Sequence, residues 1–447
     1  MSHGSESKTD PDEDCPLPVS MQNRNIACFA TFWAVYYLVA PVSYIGSTHA
    51  NMLEKLGNSD DINNLPSAMY LWLTFVPVVV TWLFPHPRSL KWLATGAISV
   101  MTVITGTVAL TLGGGASAEI STLVVIAHGA LFGAANGLLI AALWDFLRRG
   151  VSTSRRGKAL GYAFGLGPLF ACVGSLFQDA CLTGRLLGGR TFGLEFPQNY
   201  VAMFAAAAPL LFLAGLILSR FVVPDSVDAD EASTDRLAEI RRGLSQFVRD
   251  RTVFCAVVIY VLVYSGGNAI LSNISLLAEN VFGANSDTVG QQSFLRFSFK
   301  AAAGGLLGIL LAKVNPRATL LATTSILLFG LAWMLSTTGN ERLFLVTFGI
   351  LGAGELFGAH FPNYVTTASN RRYVRINMAY LGVLNAFTGF AAYGFGVISQ
   401  HYGALYGQMQ GRIISVYFAA AILVLSVGLI LVLLPANPSP RGVSDVD

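Results

Sequence analysis

Apolar runs of about 20 residues, separated by short polar stretches, recur along the chain from Asn25 to Leu434. A helix needs about that length to cross the hydrocarbon core of a bilayer, and a water-soluble core has no use for so many such runs. Segments this long and continuous are read as helices, because lipid leaves no partner for an unpaired backbone group. Twelve spans are predicted. The first six are Asn25–Ser47, Leu65–Phe84, Leu90–Leu112, Ile120–Leu147, Ala159–Phe177 and Tyr200–Val222. The second six are Thr252–Leu277, Ser293–Ala312, Ala318–Leu335, Leu343–Thr367, Ile376–Ile398 and Ile413–Leu434. The fold class expected is an all-α polytopic membrane protein of two pseudo-symmetric six-helix bundles, residues 25–222 and 252–434. A tail (1–24), a linker (223–251) and a second tail (435–447) complete the organisation.

Composition agrees with this reading. Of 447 residues, 53% are hydrophobic and 12% charged, against about 25% charged in an ordinary soluble domain. The formal net charge of +3 matters less than where the charges lie. With an even number of spans, both termini share one side. The loops of that side hold 21 Lys and Arg residues, including Arg148, Arg149, Arg155, Arg156 and Lys158, whereas the opposite loops hold 5. By the positive-inside rule both termini are expected in the cytoplasm, and a bacterial inner membrane is the expected location. The polar N-terminal stretch followed by a long apolar helix does not read as a cleavable signal. Cys15, Cys28, Cys172, Cys181 and Cys255 are scattered, without metal-ligand spacing or support for a disulfide framework.

The linker turns from acidic to basic, and Leu237, Ile240, Leu244, Phe247 and Val248 recur in its second part at helical spacing. It fits either an amphipathic helix on the membrane surface or a charged linker with local helicity. The two halves also echo each other. Leu131-Phe132-Gly133-Ala134 in span four returns as Leu356-Phe357-Gly358-Ala359 in span ten, each before a basic loop and a Gly-rich span. That equivalence points to a duplicated six-helix unit.

Twelve spans, cytoplasmic termini and a long central linker resemble the major facilitator superfamily of secondary transporters, over about residues 25–435. Gly161, Gly165, Gly167, Pro168 and Gly174 in span five are similar to the Gly-Pro signature of some exporters in that family. The acidic-and-Arg signature between spans two and three is poorly matched, since Phe84-Pro85-His86-Pro87-Arg88-Ser89-Leu90-Lys91 has no Asp. The resemblance implies a central cavity lined by spans one, four, seven and ten, with the two halves rocking about it. It names no subfamily.

Arg296 and Lys300, at i and i+4 within span eight, share one helical face. Cations facing lipid are expensive, so they require a polar cavity or an anionic partner, or else a position where Arg296 snorkels to the interface. The partner is either an anionic substrate or Glu355, which is the acidic residue well inside span ten. Glu355 is also a candidate for proton coupling, together with His360; the alternative for His360 is a neutral packing role. Tyr37 and Tyr44 on span one, and Tyr264 and Asn268 on span seven, are further candidates for substrate binding, beside the flexible pair Gly266-Gly267. Asn136 in span four, with Asn385 and Tyr393 in span eleven, complete that set. Asp145 with Arg148 and Arg149 reads as a cytoplasmic electrostatic latch, and Pro168 and Pro362 as gating bends, with Pro362 interrupting span ten.

No nucleotide-binding loop, metal-ligand spacing or catalytic constellation is legible, so neither an enzyme nor a cofactor is expected, and nothing points to nucleic acid. The leading expectation is secondary active transport of a small organic anion by alternating access, with proton coupling as an option. The first alternative is a neutral, zwitterionic or cationic solute, with Arg296, Lys300 and Glu355 as internal gating or coupling charges. A non-transporting receptor on the same scaffold is the alternative of another class. Beyond the solute, a coupling proton and membrane lipids no partner is required, since a monomer can hold the whole pathway.

Overall fold

The structure, a computed structural model, describes residues 15–43, 46–83, 87–184, 194–223, 236–283, 288–311, 314–370 and 373–438. These residues are helical almost throughout. Helix α1 (Val19–Ser43) is followed by α2 (Ser47–Lys55), and α3 (Asp60–Trp72) runs through a 3-10 turn at Leu73–Phe75 into α4 (Val76–Leu83). Four long helices come next: α5 (Pro87–Gly113), α6 (Ala118–Gly150), α7 (Thr153–Thr183) and α8 (Gln198–Ser219). The short α9 (Arg236–Arg249) precedes α10 (Arg251–Tyr264), which passes through a π turn at Ser265–Ala269 into α11 (Leu271–Phe282). Then come α12 (Val289–Leu311), α13 (Pro316–Ser336), α14 (Glu341–Gly354) and α15 (Phe357–Ala368). The last are α16 (Val374–Asn385), α17 (Thr388–Tyr406) and α18 (Gln408–Leu433).

Ten helical segments among the described residues are long and apolar enough to cross a membrane. Outside that set lie the α3–α4 rod, which opens on Asp60, Asp61, Asn63 and Asn64, and α12, which carries Arg296 and Lys300. Side chains set several helix starts by accepting from backbone N–H groups that have no partner in the first turn. Asp250 accepts from Val253, Asn315 from Ala318 and Asn340 from Leu343. Pro316 follows its cap at the position where a missing N–H costs nothing.

Two apolar cores form. The first is drawn mainly from α1 to α8, with Phe29, Phe132, Phe146 and Phe204 at its centre. The second is drawn mainly from α9 to α18, around Leu327, Phe344, Phe348 and Phe361, and takes in Ala68 and Leu71 of α3. The two helix sets meet where α3 lies along α17 and where α7 lies along α12. Gly396 permits the first approach, since a Cβ there would stand 2.7 Å from the Asp60 carbonyl oxygen. Helix α9 rests on the second core through Phe247, which is buried against Phe254 and Tyr380. Residues 236–249 of the linker are helical, as both readings of it allow.

Two expectations need correction. Hydropathy makes the stretch after span one a polar connection, yet it is largely helical, as α2 and the start of α3. His49, Asn51, Asn63 and Asn64 are buried there and hydrogen-bonded to neighbouring groups, so polarity does not signal water. Span ten breaks at Glu355 and Leu356, between α14 and α15, while Pro362 lies inside α15. Pro168 likewise lies inside the continuous α7. A membrane helix tolerates proline where neighbouring groups satisfy the freed carbonyl.

A central cavity and a buried charge cluster

Helix α1 starts and α18 finishes at one end of the molecule, the near end; the far end is opposite. Between the halves lies a cavity of about 290 Å³. Its wall on the first half is aromatic and amide: Trp33, Tyr36, Tyr37, Tyr70, Phe132 and Asn136. Trp33 packs edge-on against Tyr36, with ring centres 5.6 Å apart. The Tyr36 hydroxyl donates to Asn136 Oδ1 at 2.6 Å, and Asn136 Nδ2 donates to the Tyr70 hydroxyl at 2.6 Å. Three helices, α1, α3 and α6, are thereby tied through one amide, which fixes the polar groups facing the cavity.

The second half contributes Tyr264, Asn268, Phe297 and Lys300. Asn268 sits in the π turn allowed by Gly266 and Gly267, and such an irregular turn is tolerated at membrane depth where it lines a cavity. Its Oδ1 accepts from Arg296 Nη2 at 3.2 Å, which leaves the amide nitrogen as its other polar end. Arg296 Nε pairs with Glu355 Oε1, and Lys300 Nζ pairs with Glu355 Oε2 at 3.0 Å. The Glu355 side chain is 3% exposed, Arg296 9% and Lys300 19%, so Lys300 is the member nearest the cavity.

The backbone builds this cluster. Glu355 stands at the break between α14 and α15, and α14 reaches α12 closely because position 352 is glycine. A Cβ on Gly352 would lie 2.1 Å from the Arg296 carbonyl oxygen. Any larger residue would push Glu355 away from its partners. Two cations on one carboxylate leave a formal charge of +1, and each carboxylate oxygen already holds one cation.

Toward the far end, polar contacts join the halves in layers. Ser67 and Ser272 hydroxyls lie 2.9 Å apart, Asn64 donates to Asn273 at 2.5 Å and Asn51 donates to Ser275 at 2.7 Å. Beyond them lies Arg412 of α18, which is fully buried. Its Nε and Nη2 donate to Asp60 at 3.1 and 2.8 Å, Nη2 also to Glu54 at 2.6 Å, and Nη1 to the Leu276 carbonyl and Asn280. Asp60 further accepts from Ser399 at 2.5 Å. One guanidinium therefore clamps α2 and α3 onto α18 and α11.

Of the residues expected from sequence to bind substrate, Tyr37, Asn136, Tyr264, Asn268 and Lys300 line the cavity, with Arg296 and Glu355 directly behind Lys300. Tyr44 lies outside the described residues. Asn385 closes α16, and Tyr393 packs near Trp72 at the α3–α17 seam, so neither is among the cavity-lining residues. His360 is half-buried on α15. Asp145 pairs with Arg148 at 3.0 Å and Arg149 at 2.8 Å, all on α6, so these pairs do not bridge the halves. No group of three metal-ligating side chains occurs among the described residues. Sequence reasoning does not single out Tyr70 or the Arg412 cluster. Arg412 and Glu54 read as loop charges, because the apolar runs end short of the true helix ends.

No family model matches the sequence, and no curated protein matches it significantly. Solved structures do match over nearly the full chain. A D-xylose-proton symporter has a TM-score of 0.68 at 13% identity, covering 94% of this chain and 99% of that one. The xylose transporter XylE from E. coli, in an inward-open conformation, has a TM-score of 0.66 at 11% identity, covering 93% and 96%. A mutant of the nucleoside transporter NupG has a TM-score of 0.66 at 12% identity, covering 90% and 99%. At such identities the likeness establishes the architecture: the chain has the all-α fold of the major facilitator transporters.

Proposed function

We propose that this protein is a secondary active transporter that moves a small neutral or zwitterionic polar solute by alternating access through the central cavity. The observation that carries the solute class is the pairing of both Arg296 and Lys300 with Glu355. Charges that satisfy one another do not demand an anion, and they leave recognition to Tyr36, Tyr70, Asn136 and Asn268 with aromatic walls around them. The concentration of inter-half contacts toward the far end describes a conformer closed there, as an alternating-access cycle requires of one of its states. Within this reading α3–α4 and α12 span the membrane with the other ten segments, giving twelve helices in two bundles. Both termini then lie in the cytoplasm of a bacterial inner membrane, and Glu355 with His360 remain candidates for proton coupling. A carboxylate held by two cations must first break those pairs to take a proton.

The residual charge of +1 beside the cavity favours one second reading, a solute with a single anionic group held by Lys300. Thermal stabilisation of the detergent-purified chain by a panel of neutral, zwitterionic, anionic and cationic solutes separates the two. Neutral or zwitterionic polar compounds are expected to stabilise it, with the effect lost in Asn136→Ala and Asn268→Ala and kept in Lys300→Ala. Stabilisation by anions alone, abolished in Lys300→Ala, would establish the anion reading instead. A stabilising solute that gives no saturable uptake into proteoliposomes would make the protein a receptor and end the transport proposal.

A further inference from the structure

Two histidines are buried where α2 seats on the first half. Both rings are fully buried, and His49 Nε2 lies 3.1 Å from His128 Nδ1 of α6. The other His128 nitrogen, Nε2, lies 3.2 Å from the Thr105 hydroxyl of α5, while His49 Nδ1 is buried with no hydrogen-bond partner among the described residues. Phe204 of α8 stands edge-on to both rings, and Phe132, a cavity-lining residue, stacks on His128 at 5.1 Å. No carboxylate or cation is among these contacts. On the elements packed around the pair, Glu54 and Asp60 are held by Arg412, Lys55 lies over the Tyr200 ring at 5.7 Å, and Glu279 of α11 stands beside Asn280, another partner of Arg412. Asp61 of α3 is bonded by Ser59, Glu119 is exposed at the start of α6, Asp179 of α7 packs on Gly290, and Arg296 and Lys300 of α12 are taken by Glu355.

Hydrogen-bond accounting assigns the protons of the neutral pair. A neutral imidazole has one N–H and one bare nitrogen, and an N–H without an acceptor in a dry interior is rarely tolerated. His49 Nε2–H therefore donates to His128 Nδ1, His128 Nε2–H donates to Thr105, and the unpartnered His49 Nδ1 carries a lone pair. Both His128 nitrogens are then engaged, so His49 Nδ1 is the place left in the pair for a further proton. The imidazolium formed there needs an acceptor for its new N–H and solvation for its charge, and the packed site supplies neither. Helix α2 must leave its seat for water to enter, and the same helix carries Asn51 and Glu54, which hold Ser275 and Arg412 of the other half. We infer that His49 Nδ1 is a proton-binding site linked to the far-end gate: it is unprotonated when the gate is closed and takes a proton from far-side water when α2 lifts. Closure returns that proton to the same water. Acid on the far side therefore favours the open gate, and alkali the closed one. This site differs from Glu355, whose partners are two cations of its own half. The inference rests on the alternating-access reading, yet its test uses no solute, so an incorrect solute class would leave it standing.

The experiment has two arms on the full-length protein in nanodiscs, between pH 8 and pH 5. In the first, spin labels at Glu119→Cys on α6 and Tyr406→Cys on α17, with the five native cysteines replaced by alanine, report the far-end distance. The wild type is expected to gain a longer distance with acid, the ratio of open to closed rising by at most about tenfold per pH unit, the limit for one bound proton. His49→Gln, whose amide still donates to His128 but does not titrate, is expected to lose the response. His128→Gln, whose amide oxygen still accepts from His49, is expected to keep it. In the second arm, solid-state NMR of isotope-labelled histidine reads ring protonation in the wild type, with the His49 signals assigned through the shift that His128→Gln causes. The His49 ring is expected to pass from neutral to imidazolium over the pH range of the distance change. A response that survives His49→Gln overturns the inference. So does a His49 ring that stays neutral while the distance changes, a result that holds even where His49→Gln fails to fold. Two distances whose ratio ignores pH overturn the inference and leave alternating access standing, whereas a single distance under every condition overturns both.

Discussion

The charge cluster behind the cavity makes a quantitative prediction. Replacing Glu355 by alanine changes the local formal charge from +1 to +2 and leaves Arg296, 7% exposed as a residue, without its carboxylate. At the 3.0 Å separation of Lys300 and Glu355, the gross attraction is about 5.5 kcal/mol at an effective dielectric constant near 20. Much of that offsets desolvation in the intact pair, but removal of one partner leaves the desolvation of the other in place, and the net cost is then about 3–5 kcal/mol. The Glu355→Ala, Lys300→Met double variant returns the charge to +1 and should recover part of that loss, about 1–3 kcal/mol of coupling. Melting of the purified protein, followed by tryptophan fluorescence through the four members of this double-mutant cycle, measures both quantities. A Glu355→Ala variant as stable as the wild type would refute the reasoning, because it would mean that water, not Glu355, solvates the two cations. Additive single effects would refute the coupling separately.

Other perturbations test the remaining links. Gly352→Val places methyl groups where even a Cβ stands 2.1 Å from the Arg296 carbonyl, so at least about 1–3 kcal/mol of stability should be lost together with the Glu355 pairing; a variant with wild-type melting would show that α12 and α14 part freely. Arg412→Met leaves Asp60 buried without its cation and should cost about 3–5 kcal/mol, while adding Asp60→Asn should restore a measurable part, read again by melting. Asn136→Leu removes the bonds to Tyr36 and Tyr70, each worth about 1 kcal/mol net, and should weaken solute-induced stabilisation more than it lowers the melting temperature.

The apolar runs locate the helical segments because period and length survive whatever packs around them, and Arg296 with Lys300 stand out because two cations on one face of an apolar helix need a reason. Their partner Glu355 is visible for the same cause. What is not legible depends on three-dimensional neighbours. Glu54, Asp60 and Arg412 look like loop residues in a hydropathy pattern, since each lies beyond the apolar run of its own helix. Asp60 and Arg412 are buried, and Glu54 partly so, because several helices project past those runs and cover one another's polar ends. Local sequence puts the break in span ten at Pro362, the stronger signal, whereas the helix is interrupted at Glu355 and Leu356, beside the two cations of α12. Tyr70 escapes notice because its role arises from a bond to Asn136, 66 residues away.

In the proposed alternating-access cycle the two charge clusters would take different parts. Arg296, Lys300 and Glu355 all lie on α12 and at the α14–α15 break, within one half of the fold, so a rocking motion of the halves carries them as a unit and leaves their pairing intact. Under the proposed function their link to the solute would run through Asn268, which lines the cavity and accepts from the Arg296 guanidinium. The Arg412 cluster joins α2 and α3 to α18 and α11, so the same motion must break it. Opening returns both sides of that cluster to water together, which costs far less than stranding one charge in the interior. A buried ionic lock can therefore be stable when closed and still exchangeable. It follows that neutralising Asp60 and Arg412 together should raise the population of the far-end-open state while leaving solute contacts at Tyr36, Asn136 and Asn268 intact. Neutralising Glu355 should do the reverse, weakening solute binding with little change in the gate, and distance measurements across the far end on both variants separate the two roles.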